Sequence, residues 1–96
     1  MHPTVPSPLT HALVVKAIHS DLQQLYLALL REARKKAGLT QAEVAAGLNK
    51  PQSFVAKYEG GERRLDVIEF MTICNAIDAD PVRMMKRLDK WRTTPQ

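Results

Sequence analysis

Gln52, Ser53, Phe54 and Lys57 lie close together in a stretch of helical character, and their side chains suit the edges of nucleic-acid bases. A glutamine amide can bond adenine N6 and N7 together, a lysine can reach guanine O6 and N7 or a phosphate, and an aromatic ring can pack on a thymine methyl. Such chemistry requires that the residues share an exposed helical face. With Val55 at the centre of the buried face, Pro51 and Tyr58 fall within about 60° of it and should pack inward. Ser53 and Lys57 then point almost directly away, with Gln52 and Ala56 on one flank and Phe54 on the other. An outer face of this kind is what a recognition helix presents to the major groove, and the residues nearest its N-terminus reach base edges. Gln52 is therefore the foremost candidate reader. The alternative is that these are ordinary solvent-facing side chains, with Phe54 tucked against the edge of the domain.

Two helices and a tight turn are needed to present that face. Thr40 is an N-cap residue, and Glu43 three positions later can return its carboxylate to the cap backbone, which makes a capping box. Val44 and Leu48 follow at i and i+4 on one face, and Ala45 beside them is small enough to let a second helix approach closely. Asn49 stands where the chain must reverse and tolerates the left-handed conformation of such a turn. Pro51 suits the first turn of the second helix, because its φ is already helical and it has no amide donor to satisfy.

The string Gly38-Leu39-Thr40-Gln41, Glu43-Val44-Ala45, the turn, and then Val55, Lys57-Tyr58-Glu59 and Gly61-Glu62-Arg63-Arg64 resembles the Cro/CI (XRE) family of helix-turn-helix DNA-binding domains. The likeness runs from about Leu22 to about Leu88. Asn49 departs from the glycine usual at the turn. Gly47 is placed inside the first motif helix, where glycine costs roughly 1 kcal/mol relative to alanine. The resemblance implies an all-α fold of five helices, lambda-repressor-like, with an N-terminal arm. It also implies that Gln41 grips a backbone phosphate, and that Arg34 and Glu59 form a structural ion pair joining the first helix to the end of the recognition helix. Lys50, Arg63 and Arg64, in the turn and in the loop after the motif, are candidate phosphate-binding cations flanking the groove.

Ninety-six residues make one small domain. The formal net charge of +4 and pI near 9.5 favour a polyanionic partner without the dense basic runs of a purely electrostatic binder. The single cysteine, Cys74, excludes an intramolecular disulfide and sits in an apolar helical stripe, as a core thiol would. No apolar run approaches the ~20 residues that cross a bilayer, and Ala12 to Val15 is too short for a signal-peptide core, so a cytoplasmic chain without membrane contact is expected.

Along the chain, residues 1–19 read as an N-terminal arm, 20–90 as the DNA-binding domain and 91–96 as a tail. The arm begins with the proline-rich Met1 to Pro8. Within it, Leu13 to Ile18 permits either a short strand or one face of a helix. Ser20 predicts a helix start at about Asp21, running to Ala37 with Gly38 at its end and an inner stripe of Leu22, Tyr26, Leu29, Leu30 and Ala33. Asp66 with Glu69 forms a second capping box, opening a helix whose predicted inner stripe is Val67, Phe70, Cys74 and Ile77. Asp80 and Pro81 open a last helix carrying Met84, Met85, Leu88 and Trp91.

An enzyme is not expected. His2, His11 and His19 belong to or adjoin the arm, and no metal-ligand spacing, glycine-rich phosphate loop or nucleophile constellation appears, so no cofactor or metal is expected. The reading is a transcriptional repressor that binds double-stranded DNA at a palindromic operator as a homodimer. Domains resembling this family also serve as antitoxins, so the alternative is a module that binds a partner protein and autoregulates its operon.

Overall fold

The computed structural model describes residues 8–94, with side chains described from Ser20 onward. Five helices follow one another: α1 (Pro8–Lys36), α2 (Gln41–Gly47), α3 (Gln52–Glu59), α4 (Val67–Ala76) and α5 (Pro81–Thr93). No strand occurs among the described residues, and none of their helices is long and apolar enough to cross a membrane.

Helix α1 does not begin at Ser20. It starts at Pro8 and passes through Leu13 to Ile18 and Ser20 without interruption, so that segment is helical. The reason is local: proline is tolerated in a first turn, and no glycine or second proline interrupts the chain before Gly38. Residues 1–7 of the expected arm lie outside the described residues. At the other end Arg34, Lys35 and Lys36 occupy the last turn, where their charge complements the helix dipole, and Gly38 takes φ +76° to turn the chain out.

The later helices start at strong local signals. The Thr40 hydroxyl accepts from the Glu43 amide at 3.1 Å while Glu43 Oε1 accepts from the Thr40 amide at 3.0 Å. The Asp66–Glu69 box is built the same way, at 2.7 and 3.0 Å. Asp80 Oδ1 accepts from the amides of Val82 and Arg83, with Pro81 at the first helical position. Gly47 is the last residue of α2 rather than an interior one, so its backbone freedom weakens the helix little.

The core draws on every helix: Leu29 and Leu30 from α1, Val44 and Ala45 from α2, Val55 and Tyr58 from α3, Phe70, Ile73 and Cys74 from α4, then Ile77 and Met84. Tyr26 and Phe70 meet with ring centroids 5.5 Å apart. Two expected inward residues are not inward. Val67 is 62 % exposed, and Ile73 takes its place beside Phe70, Cys74 and Ile77 in the buried stripe. Pro51 is exposed: it is the N-cap of α3, with ψ 155°, and the extended backbone carries its ring away from Val55.

Candidate nucleic-acid interface

Helix α3 is seated by Val55 and Tyr58, both buried, and by the turn that precedes it. Asn49 adopts φ +56°, the left-handed conformation that lets the chain reverse, and the next amide, of Lys50, returns to the Ala45 carbonyl at 2.9 Å. Gln52, Ser53, Ala56 and Lys57 are thereby left together on the exposed face. That face carries two amide-or-hydroxyl side chains near the N-terminus and a cation one turn on.

Phe54 lies on the flank, half-buried, its ring edge-on to Tyr58 at 5.6 Å. Two cations face it: Lys50 Nζ at 5.6 Å and the Arg63 guanidinium at 4.7 Å from the ring centre. The ring is therefore held against the domain by contacts at its faces and edge, and what remains open is a small part of its surface.

Gln41 stands at the start of α2, and its Nε2 donates to Glu59 Oε1 at 3.1 Å. The same carboxylate accepts Arg34 Nε at 2.7 Å and Arg34 Nη2 at 3.0 Å, while Arg34 Nη1 donates to the Leu39 carbonyl at 2.9 Å. The bond to Glu59 is also the main reason that the Arg34 guanidinium holds its proton above the usual range. Arg31 adds a long contact from Nη2 to the Glu59 carbonyl at 3.4 Å. The ends of α1 and α3 and the start of α2 are thus tied at one buried carboxylate.

Lys50 in the turn before α3, Lys57 on α3 and Arg64 in the loop after it are exposed, as are the carboxylates of Glu43 and Glu62. Arg63 is engaged with Glu69 at 2.8 Å. That bridge is the largest reason the Glu69 carboxyl is held below its ordinary range, with the Asp66 amide second. Glu69 was not a candidate for the site. Its spacing identifies it as a capping residue, and one oxygen does accept the Asp66 amide, but the other oxygen serves the loop.

Among the described residues no group of three or more His, Cys, Asp or Glu is placed to hold a metal ion. Cys74 is buried, and desolvation pushes its thiol up to about 11.

Comparison with known proteins gives a family model described as Helix-turn-helix, matching residues 30–83. Among solved structures, an XRE-family-like protein from Pseudomonas syringae pv. tomato str. DC3000 is 51 % identical, with a TM-score of 0.79 over 85 % of this chain and 98 % of that one. The clp gene regulator ClgR from C. glutamicum shares the fold at 20 % identity and a TM-score of 0.65, over 78 % of this chain and 96 % of that one. No curated protein matches the sequence.

Proposed function

The chain belongs to the XRE-type helix-turn-helix family, and from that premise we propose that it is a non-enzymatic, cytoplasmic transcriptional repressor that binds a palindromic DNA operator as a homodimer. One observation carries the reading. The exposed face of α3 gathers Gln52, Ser53 and Lys57 on a helix whose opposite face is fully buried, as a helix entering the major groove requires. Gln52 reads a base edge through its amide, Ser53 and Lys57 lie over the next bases, and Phe54 contributes whatever ring edge stays open. Gln41, Lys50 and Arg64 border the face, where an amide and two cations can meet phosphates and set the register. Repression follows from occupancy: a protein seated over a promoter excludes polymerase.

Selection of bound duplexes from a random DNA pool tests this. Enrichment of an inverted repeat is the expected outcome. A pool that shows no enriched sequence would overturn it, and would favour a partner protein as the ligand.

A further inference from the structure

The loop between α3 and α4 contains a network that phosphate binding does not explain. The Arg63 guanidinium stacks over the Phe54 ring at 4.7 Å, Nη2 donates to Glu69 Oε2 at 2.8 Å, and Nη1 donates to the Arg64 carbonyl at 3.0 Å. Glu69 is itself fixed, because its other oxygen accepts the Asp66 amide at 3.0 Å in the cap of α4. The backbone is hooked as well: the amides of Glu62 and Arg63 both donate to the Lys57 carbonyl, at 2.8 and 3.2 Å. A guanidinium offers two faces for stacking and an edge of five donors. Here the guanidinium carbon lies over the ring, and two of the five donors are spent on oxygens that the protein holds in place, on a side chain that is 40 % exposed. Swinging the two engaged nitrogens to a phosphate would break the Glu69 bridge and bare the ring, which sets a positioning role against a phosphate contact as alternatives that the salt slope separates.

Resting on the DNA-binding reading above, we infer that Arg63 is a positioning residue: it clamps Phe54, and with it the roll of the recognition helix, to the start of α4, and it neutralises no phosphate. Phe54 adjoins Ser53 and Gln52 in α3, so the seating of its ring fixes the direction in which those two side chains leave the helix. A rigid planar cation is needed for this role, since the ring contact, the bond to Glu69 and the bond to the Arg64 carbonyl act together. Lysine keeps the charge and lacks the plane.

The full chain is tested on its best selected duplex and on a random duplex, at several salt concentrations and at a temperature where circular dichroism shows each variant folded. Arg63→Ala should lose about tenfold on the best duplex and stay within about twofold on the random one, with the slope of log K against log salt unchanged. Arg63→Lys should behave like Arg63→Ala. Glu69→Gln removes a negative charge beside a polyanion, which by charge alone would tighten binding, yet the clamp requires that it weaken binding to the best duplex. The assignment is overturned if Arg63→Ala lowers the salt slope by about one unit with equal loss on both duplexes, if Arg63→Lys binds like the wild type, or if Glu69→Gln binds more tightly. A wild-type chain that prefers no duplex overturns the DNA-binding reading and this assignment with it, whereas any of the three variant results against a sequence-specific wild type overturns this assignment alone.

Discussion

Arg34, in the last turn of α1, and Glu59, the last residue of α3, form a two-pronged ion pair at 2.7 and 3.0 Å whose side chains are 11 % and 3 % exposed. Burial of a carboxylate is costly unless its oxygens are satisfied, and here Gln41 supplies a third donor from α2. The pair therefore joins the three helices that set the angle of the α3 face.

Glu59→Ala leaves the Arg34 guanidinium partly buried with only the Leu39 carbonyl to accept from it. A loss of about 3 kcal/mol in unfolding free energy is expected, well above the ~0–1 kcal/mol of exposed pairs. Urea denaturation at neutral pH measures it. A change below 1 kcal/mol would mean that the pair contributes no more than a surface bridge.

Gln52→Ala removes one side chain from the exposed face without touching the core. On the best selected duplex the cost should be about 1–3 kcal/mol, with little change on random DNA. Fluorescence anisotropy with both duplexes decides the matter, since equal losses would remove Gln52 as a reader.

Local rules made much of this fold legible. The two capping boxes, the Asp80 cap, the left-handed Asn49 and the Gly38 exit each depend on residues within a few positions of one another, and all are present. Where a feature depends on a distant neighbour, those rules fall short. Nothing near Ser20 signals that α1 continues upstream, because a serine capable of capping is equally tolerated within a helix. Val67 and Ile73 are both apolar and both helical, and the choice between them is made by what faces α4. No local rule spans the separation of 18 positions from Gln41 to Glu59, or divides the two oxygens of Glu69 between the cap and Arg63. The exposed face of α3 is in turn legible as a pattern, while the clamp on its flank is a tertiary arrangement.

Binding should weaken steeply with salt through the exposed cations. Lys57→Ala and Arg64→Ala should each reduce the slope of log K against log salt by about one unit if each meets a phosphate, with sequence preference retained in the Arg64 variant. An unchanged slope for Arg64→Ala would show that the loop stays off the backbone.

Alkaline pH should act on the core through Cys74. Its thiol is raised from 9.0 to about 11 in the folded chain, so between those values the unfolded state has lost the proton that the folded state keeps. Stability therefore falls as pH rises from about 9 and this contribution levels off above about 11, a total of about 2–3 kcal/mol. Tyr26, raised to about 12 mainly by burial, adds its own loss at higher pH. Cys74→Ala should be less stable at pH 7 through its cavity, yet show a shallower decline between pH 9 and 10 in urea titrations. Parallel declines would exclude the thiol as the cause.

The proposed homodimer rests on the reach of a single recognition helix. One such helix covers a few base pairs, and a second copy about 34–36 Å along the same side of the duplex doubles the readout and demands a palindrome. The subunits must then meet through a surface away from α3. The first half of α4 and the outer side of α5 supply apolar candidates: Val67 is 62 %, Ile68 68 %, Met71 52 %, Val82 60 % and Met85 51 % exposed. Val67 and Met85 also share a groove with Leu22 and Leu88, which brings α1 into the same region. Sedimentation at micromolar concentration should give a dimer, and Met85→Glu should give a helical monomer that binds full and half sites alike. Truncation after Leu88, which keeps Val82 and Met85 and removes Trp91, and truncation before Ser20 then show whether the last turn of α5 or the upstream turns of α1 also hold the dimer, since only a deletion that removes part of the interface yields folded monomers. A wild-type chain that is monomeric and binds half sites as tightly as full sites would rule the dimer out.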